Sequence, residues 1–177
     1  MSHPKRTLGR CLAGEPLSLR TVMHAKQRVV CGEWAADIDI GIAPFVLELW
    51  RAGIETHNSC QDIGEMLLAD PDDCAVDTGL IGRATVALSF PGDLFTLYAL
   101  LADHGPLDDF YERMTNPWAL GGWEHWLGVI DDRLDHGDMS MPASFSPFGV
   151  EMTLPTTDIA EATRRLRSAN AARMQGE

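Results

Sequence analysis

Seven consecutive residues carry the densest chemistry in the chain. Thr56, His57, Asn58, Ser59, Cys60, Gln61 and Asp62 set hydroxyl, imidazole, amide, thiol and carboxylate side by side. A functional loop held on a rigid scaffold accounts for that density. A polar turn is the competing account, with Thr56, Asn58 and Ser59 bonding the backbone and Cys60 serving as a small buried hydrophobe. As a nucleophile, Cys60 would need a nearby cation or base to lower its pKa. His57 lies three residues earlier, which in an extended strand is the opposite face. No catalytic residue is therefore assigned. Thr56, His57, Ser59, Cys60, Gln61 and Asp62 stand as ligand-binding candidates.

Metal chemistry stays open at the sequence level. His24 and Cys31 form a His-x6-Cys pair, and His57 and Cys60 a His-x2-Cys pair. Structural zinc sites show tighter C-x2-C or H-x3–5-H spacing, so no ligand set is assigned and the cofactor is left unknown. His125 and His136 lie near Glu124, Asp131, Asp132, Asp135 and Asp138, which reads as a solvated acidic face with capacity for a hard ion. Trp118, Trp123 and Trp126 fall within nine residues of one another. They either seal a sheet edge or stack on a base or a partner surface. The chain has no G-x-G-x-x-G, no G-x-x-x-x-G-K-[ST] and no G-x-S-x-G, so dinucleotide, P-loop and α/β-hydrolase chemistry have no support.

The elements that must position these groups follow from hydrophobic period and punctuation. Residues 1–16 read as a basic N-terminal arm, and residues 17–177 as one domain. One or two strands fit the loose alternation of residues 17–34. Ile42, Phe45, Val46, Leu49 and Trp50 form one apolar helical face from about Ile42 to Ala52. Asp37 and Asp39 lie ahead of it, where negative charge suits a helix start, and Gly53 with Ile54 ends it. Residues 55–60 are a short polar strand or turn. Residues 61–82 are loop-like, with a short helix over Ile63–Leu68. Arg83–Phe90 alternates as a strand, Asp93 caps a helix carrying Leu94 to Leu101, and residues 106–122 form a long connection. Residues 123–130 read as a strand and residues 131–147 as a second long loop. Phe148–Leu154 is a strand, and Asp158 with Glu161 has capping-box spacing for a final helix.

Val86 to Asp93 and Val150 to Asp158 share one pattern: alternating strand, proline, aspartate, helix. The body therefore reads α-ββα-ββα, an α+β domain with a mostly antiparallel or mixed sheet and helices on one face. Either the two ββα halves arose by duplication, or a common junction was chosen twice.

A resemblance bears on the same residues. Asp39, Ile42, Leu49, Gly53-Ile54, Thr56 and Ser59-Cys60, followed by Gly82-Arg83 and an apolar strand, resemble a group of small proteins of unassigned function from actinobacteria and their phages. That group shares a G-I-x-T-x-x-S-C turn. More distantly, the stretch resembles the tRNA wybutosine-synthesis methyltransferase family, with its T-x-S-S-C-S-G-R turn. Thr56, Ser59, Cys60, Gly82 and Arg83 match that turn, with Gln61–Ile81 as an insertion. The likeness covers residues 39–90. It implies S-adenosylmethionine-dependent methylation of a tRNA base, and it adds Arg83 to the binding candidates as a contact for phosphate or carboxylate.

Charge weighs on the partner. The 177 residues carry a net charge of −12. Residues 1–30 hold +5, residues 31–160 hold −19 and residues 161–177 hold +2. An acidic body disfavours nucleic acid, although the basic arm could still contact it. No apolar run is long enough for a membrane span, and no secretory signal is visible. Four cysteines are too few for a disulfide scaffold. The expectation is a small acidic cytoplasmic accessory protein that takes a host or self protein partner, or a small ligand, through Thr56–Asp62. The alternative is a nucleotide- or RNA-base-directed enzyme.

Overall fold

A computed structural model describes residues 24–68, 78–102, 108–116, 118–119, 121–129 and 148–176. The elements run β1 (Lys26–Cys31), β2 (Trp34–Asp39), α1 (Ala43–Arg51), β3 (Thr56–Cys60), α2 (Ile63–Leu68), β4 (Arg83–Leu88), α3 (Pro91–Ala102), α4 (Asp109–Thr115), β5 (Glu124–Val129), β6 (Phe148–Pro155) and α5 (Ile159–Gly176). Single 3-10 turns occupy Thr78–Leu80 and Thr156–Asp158. The expected N-terminal arm, the acidic stretch from 69 to 77, the loop 131–147 and His136 lie outside the described residues.

The chain is an α+β domain. β1 and β2 pair as an antiparallel hairpin, and β3, β4, β6 and β5 form an antiparallel sheet in that order. The hairpin adds a further ββα unit at the front, so the described order reads ββα three times once the short α2 and α4 are set aside. Within the larger sheet, the two halves meet along β4 and β6, with Val86 opposite Met152 and Ala84 opposite Leu154. The recurrent strand–proline–aspartate–helix pattern thus places its two copies as the central strands.

Alternation sorts the faces of this sheet. Ala84, Val86, Leu88, Met152 and Leu154 join one core with Ile42, Phe45, Val46 and Leu49 of α1, Leu97 and Leu101 of α3, and Ile159, Ala162 and Leu166 of α5. Full burial of each large apolar side chain is worth about 1.5–3 kcal/mol. Helix α1 ends as its sequence requires. Gly53 takes φ +81°, and Gly53 N–H and Ile54 N–H donate to the carbonyls of Trp50 and Leu49, both at 3.0 Å. That closes the last turn in a Schellman arrangement.

Two expectations need correction. The long connection 106–122 contains α4, whose N-terminus is capped by Asp108 accepting from Tyr111 N–H at 2.9 Å. Asp158 serves the core instead of acting with Glu161 as a capping pair. Its buried carboxylate accepts from Arg113 Nη2 at 2.8 Å and from Trp123 Nε1 at 3.0 Å, while Glu161 pairs with Arg164 and Arg165.

Candidate functional site

The β1–β2 hairpin begins the site. Lys26 pairs with Asp39, and only Gly32 and Glu33 separate the strands. Beyond the last pair, Ile40 N–H donates to the Ala25 carbonyl at 2.8 Å. Residue 24 is therefore held beside residue 39. His24 Nδ1 lies 3.1 Å from Asp39 Oδ2, and both side chains are under a tenth exposed.

Strand β3 brings the third group. Its register against β4 shifts between Thr56 and Asn58, so Thr56 faces Leu88 while Asn58 and Cys60 face Ala87 and Thr85. The irregularity falls at His57 and turns Thr56 and Cys60 to opposite faces of the sheet, as a bulge does. Cys60 is buried, with Sγ 3.8 Å from His24 Nδ1. His24, Asp39 and Cys60 each offer one ligand atom, and the three atoms lie within 4.8 Å of one another.

Gln61 and Asp62 hold the backbone around these groups. Gln61 N–H donates to Asp39 Oδ2 at 3.2 Å, and Gln61 Oε1 accepts from Gly41 N–H at 2.7 Å. Asp62 Oδ1 accepts from Glu65 N–H at 3.1 Å, and Oδ2 from Gly82 N–H at 2.9 Å. Helix α2 then rests on the turn before β4. A Cβ on Gly64 would stand 2.4 Å from Ile81 N and 2.6 Å from the Leu80 carbonyl carbon, so only glycine fits. This close approach sets Glu65, whose Oε2 reaches His24 Nε2 at 3.2 Å.

Electrostatics define what the cluster can do. Burial pushes the Cys60 thiol up to about 11, with the Asp39 and Asp62 charges adding to the rise against a backbone hydrogen bond at Asp62. A protonated thiol among carboxylates is a poor nucleophile. The Glu65 carboxylate takes the Nε2 side of the His24 ring, while Asp39 and Cys60 share the Nδ1 side. The sulfur thus competes with a nearer carboxylate for the nitrogen that would have to take its proton in a nucleophilic triad. The arrangement is one of converging donor atoms.

The sequence-level candidates separate. Cys60, Gln61 and Asp62 belong to the cluster. Thr56 Oγ1 accepts from Trp50 Nε1 at 2.9 Å on the α1 side. His57 is exposed at the bulge, and Ser59 is half-buried opposite Val86. Arg83 ties strands together: its Nη2 donates to the carbonyls of Gly122 and Thr153 at 2.8 and 3.2 Å and pairs with Glu124 at 3.3 Å. Of the four residues considered for metal, His24 and Cys60 meet across the two pairs read from spacing. Asp39 and Glu65 were missed. By type and position Asp39 reads as a helix-start charge, whereas a hairpin turning at Gly32 and Glu33 sets it opposite Lys26.

The remaining polar groupings hold elements together. Tyr98 donates its hydroxyl to the Met114 carbonyl at 3.0 Å and shares a hydrogen bond with His125. Burial raises the Tyr98 pKa to about 12 and lowers that of His125. The three tryptophans part ways, with Trp123 fully buried and Trp118 and Trp126 exposed. No helix among the described residues is long and apolar enough to cross a membrane. Comparison with protein-family models, with curated proteins and with solved structures finds no match.

Proposed function

We propose that this chain is a small cytoplasmic accessory protein that binds a small ligand or a protein partner at the β3–α2 junction, through the Cys60–Asp62 end of the segment Thr56–Asp62. One observation carries the reading. His24, Asp39 and Cys60 come from three separate segments and converge as buried polar groups at the end of a strand. Burying polar side chains is unfavourable unless they are satisfied, so a fold gains little by gathering them there for stability alone. The side chains of Gln61 and Asp62 are used to brace the backbone around the cluster, which is how a binding constellation is kept in place. The reduced thiol of Cys60 suits a reducing compartment. An S-adenosylmethionine-dependent, RNA-directed activity has less support, because Arg83 is engaged with two carbonyls and Glu124.

The test is an amide spectrum of the 15N-labelled full chain. It is recorded before and after adding the small-molecule and the protein fractions of host cytoplasm, and separately after S-adenosylmethionine. The proposal expects signals of residues 39–41 and 56–65 to move with one of the cytoplasmic fractions. Unchanged signals there, with both fractions, contradict it. A response to S-adenosylmethionine alone favours the enzymatic reading.

A further inference from the structure

We infer that His24 Nδ1, Asp39 Oδ2 and Cys60 Sγ bind one divalent transition-metal ion of the zinc class. The inference rests on the junction being a binding site and names what it takes first.

Geometry is the first argument. Zinc bonds of about 2.3 Å to sulfur and about 2.0–2.2 Å to nitrogen and oxygen put tetrahedral ligand atoms roughly 3.3–3.6 Å apart. Here nitrogen and oxygen are 3.1 Å apart and nitrogen and sulfur 3.8 Å. The third edge, oxygen to sulfur, is within 4.8 Å, so a movement of roughly an ångström or less closes the polyhedron. The ligands come from the start of the hairpin, its end and the end of β3, each fixed by strand pairing or a neighbouring hydrogen bond.

Ring polarity is the second. A neutral imidazole has one N–H and one lone pair. Glu65 accepts at Nε2, which leaves the Nδ1 lone pair facing the Asp39 carboxylate and the Cys60 sulfur. The single S–H of Cys60 can serve only one of the two acceptors, Nδ1 and the Asp39 carboxylate, and its loss to a bound cation turns all three lone pairs onto one point. A carboxylate on the far ring nitrogen is also the usual outer partner of a metal-bound histidine, fixing its tautomer and raising its basicity. Gln61 N–H on Asp39 Oδ2 does the same for the carboxylate.

Charge and softness select the ion. One thiolate and one carboxylate neutralise a divalent cation. Mixed sulfur, nitrogen and oxygen donors suit zinc and its neighbours, whereas magnesium and calcium take oxygen. On binding, the Cys60 S–H bond breaks, its proton leaves to solvent and the sulfur–metal bond forms. Among the described residues these three ligand atoms form the whole set. A fourth position is left for water or for a donor atom of the bound ligand or partner, the pattern of reactive rather than closed structural sites.

The competing account is an ion pair only, with a doubly protonated His24 donating to Asp39 and Glu65 and a spectator thiol. The reduced, chelator-treated full chain is titrated with Co²⁺. The inference expects a thiolate-to-cobalt charge-transfer band in the near ultraviolet, saturating at one equivalent and displaced by Zn²⁺. The band persists in a variant whose only cysteine is Cys60 (Cys11→Ser, Cys31→Ser, Cys74→Ser) and is lost in Cys60→Ser. His24→Gln and Asp39→Asn weaken binding by at least about tenfold, and Glu65→Gln by roughly 10- to 100-fold. No band in the wild-type chain, or a band retained by Cys60→Ser, overturns the inference. If the band is missing while amides 56–65 still respond to a cytoplasmic fraction, the metal falls and the binding site stands. If both are silent, both fall.

Discussion

His24 Nδ1 and Asp39 Oδ2 lie 3.1 Å apart although fifteen residues separate them in the chain. The separation is a product of hairpin register. Lys26 opposite Asp39, and Ala25 accepting from Ile40, put His24 on the same face as Asp39 as its diagonal neighbour, two residues before Lys26. Cys60 and Glu65 then approach the same ring from β3 and α2. The site therefore depends on backbone pairing as much as on its side chains.

Gly64→Ala tests the seat of α2. The added methyl meets the backbone of Leu80 and Ile81, which cannot yield as a flexible side chain would. We expect a loss of about 1–3 kcal/mol, the usual penalty of overpacking, read as a lower urea midpoint. Because Glu65 moves with the helix, Zn²⁺ affinity should fall in the same variant.

Thr56→Val separates scaffold from site. It leaves the Trp50 indole N–H without its partner on the α1 side, at a cost of about 1–3 kcal/mol. Metal affinity should stay within twofold of the wild type. Equal stability with lost affinity would place Thr56 in the site after all.

Asp158→Ala removes the shared acceptor of Arg113 and Trp123. Both donors lose a charge-assisted bond, and Trp123 is fully buried against Phe110. A loss of about 3–5 kcal/mol is expected in chemical denaturation, as for a broken buried pair.

Acid stability follows from two glutamates. Hydrogen bonds from Arg164 and Arg165 outweigh burial at Glu161 and lower it to about 2. At Glu48 burial acts upward, but hydrogen bonds from Asn170 and Arg167 and the charge of Arg51 bring the net shift below the usual 4.5. Both shifts are downward, so the unfolded chain binds more protons than the folded one as pH falls below that value. The stability they contribute is complete above about pH 4.5 and is lost progressively toward pH 2. Urea midpoints measured in chelator across that window should fall. Glu48→Gln should flatten the fall, and Glu161→Gln should do so less, because solvent screens its pair.

Much of the fold was legible in local pattern. The 3.6-residue period of α1, its Gly53 stop, and the alternation of β4 and β6 specify the central layers directly. Helix α4 was hidden because Phe110 and Met114 give its seven residues only one apolar repeat. The site was half legible. Cys60, Gln61 and Asp62 announced themselves by density, whereas Asp39 resembled a helix-start charge and His24 stood alone. Their meeting depends on strand register and on the irregularity at His57, and no residue type in β3 marks that irregularity.

The most direct measurement is zinc-edge X-ray absorption on the reduced full chain loaded with one equivalent of Zn²⁺. The account predicts one sulfur scatterer at about 2.3 Å with nitrogen and oxygen scatterers at about 2.0–2.2 Å. A first shell of nitrogen and oxygen alone, or one unchanged by Cys60→Ser, would contradict it.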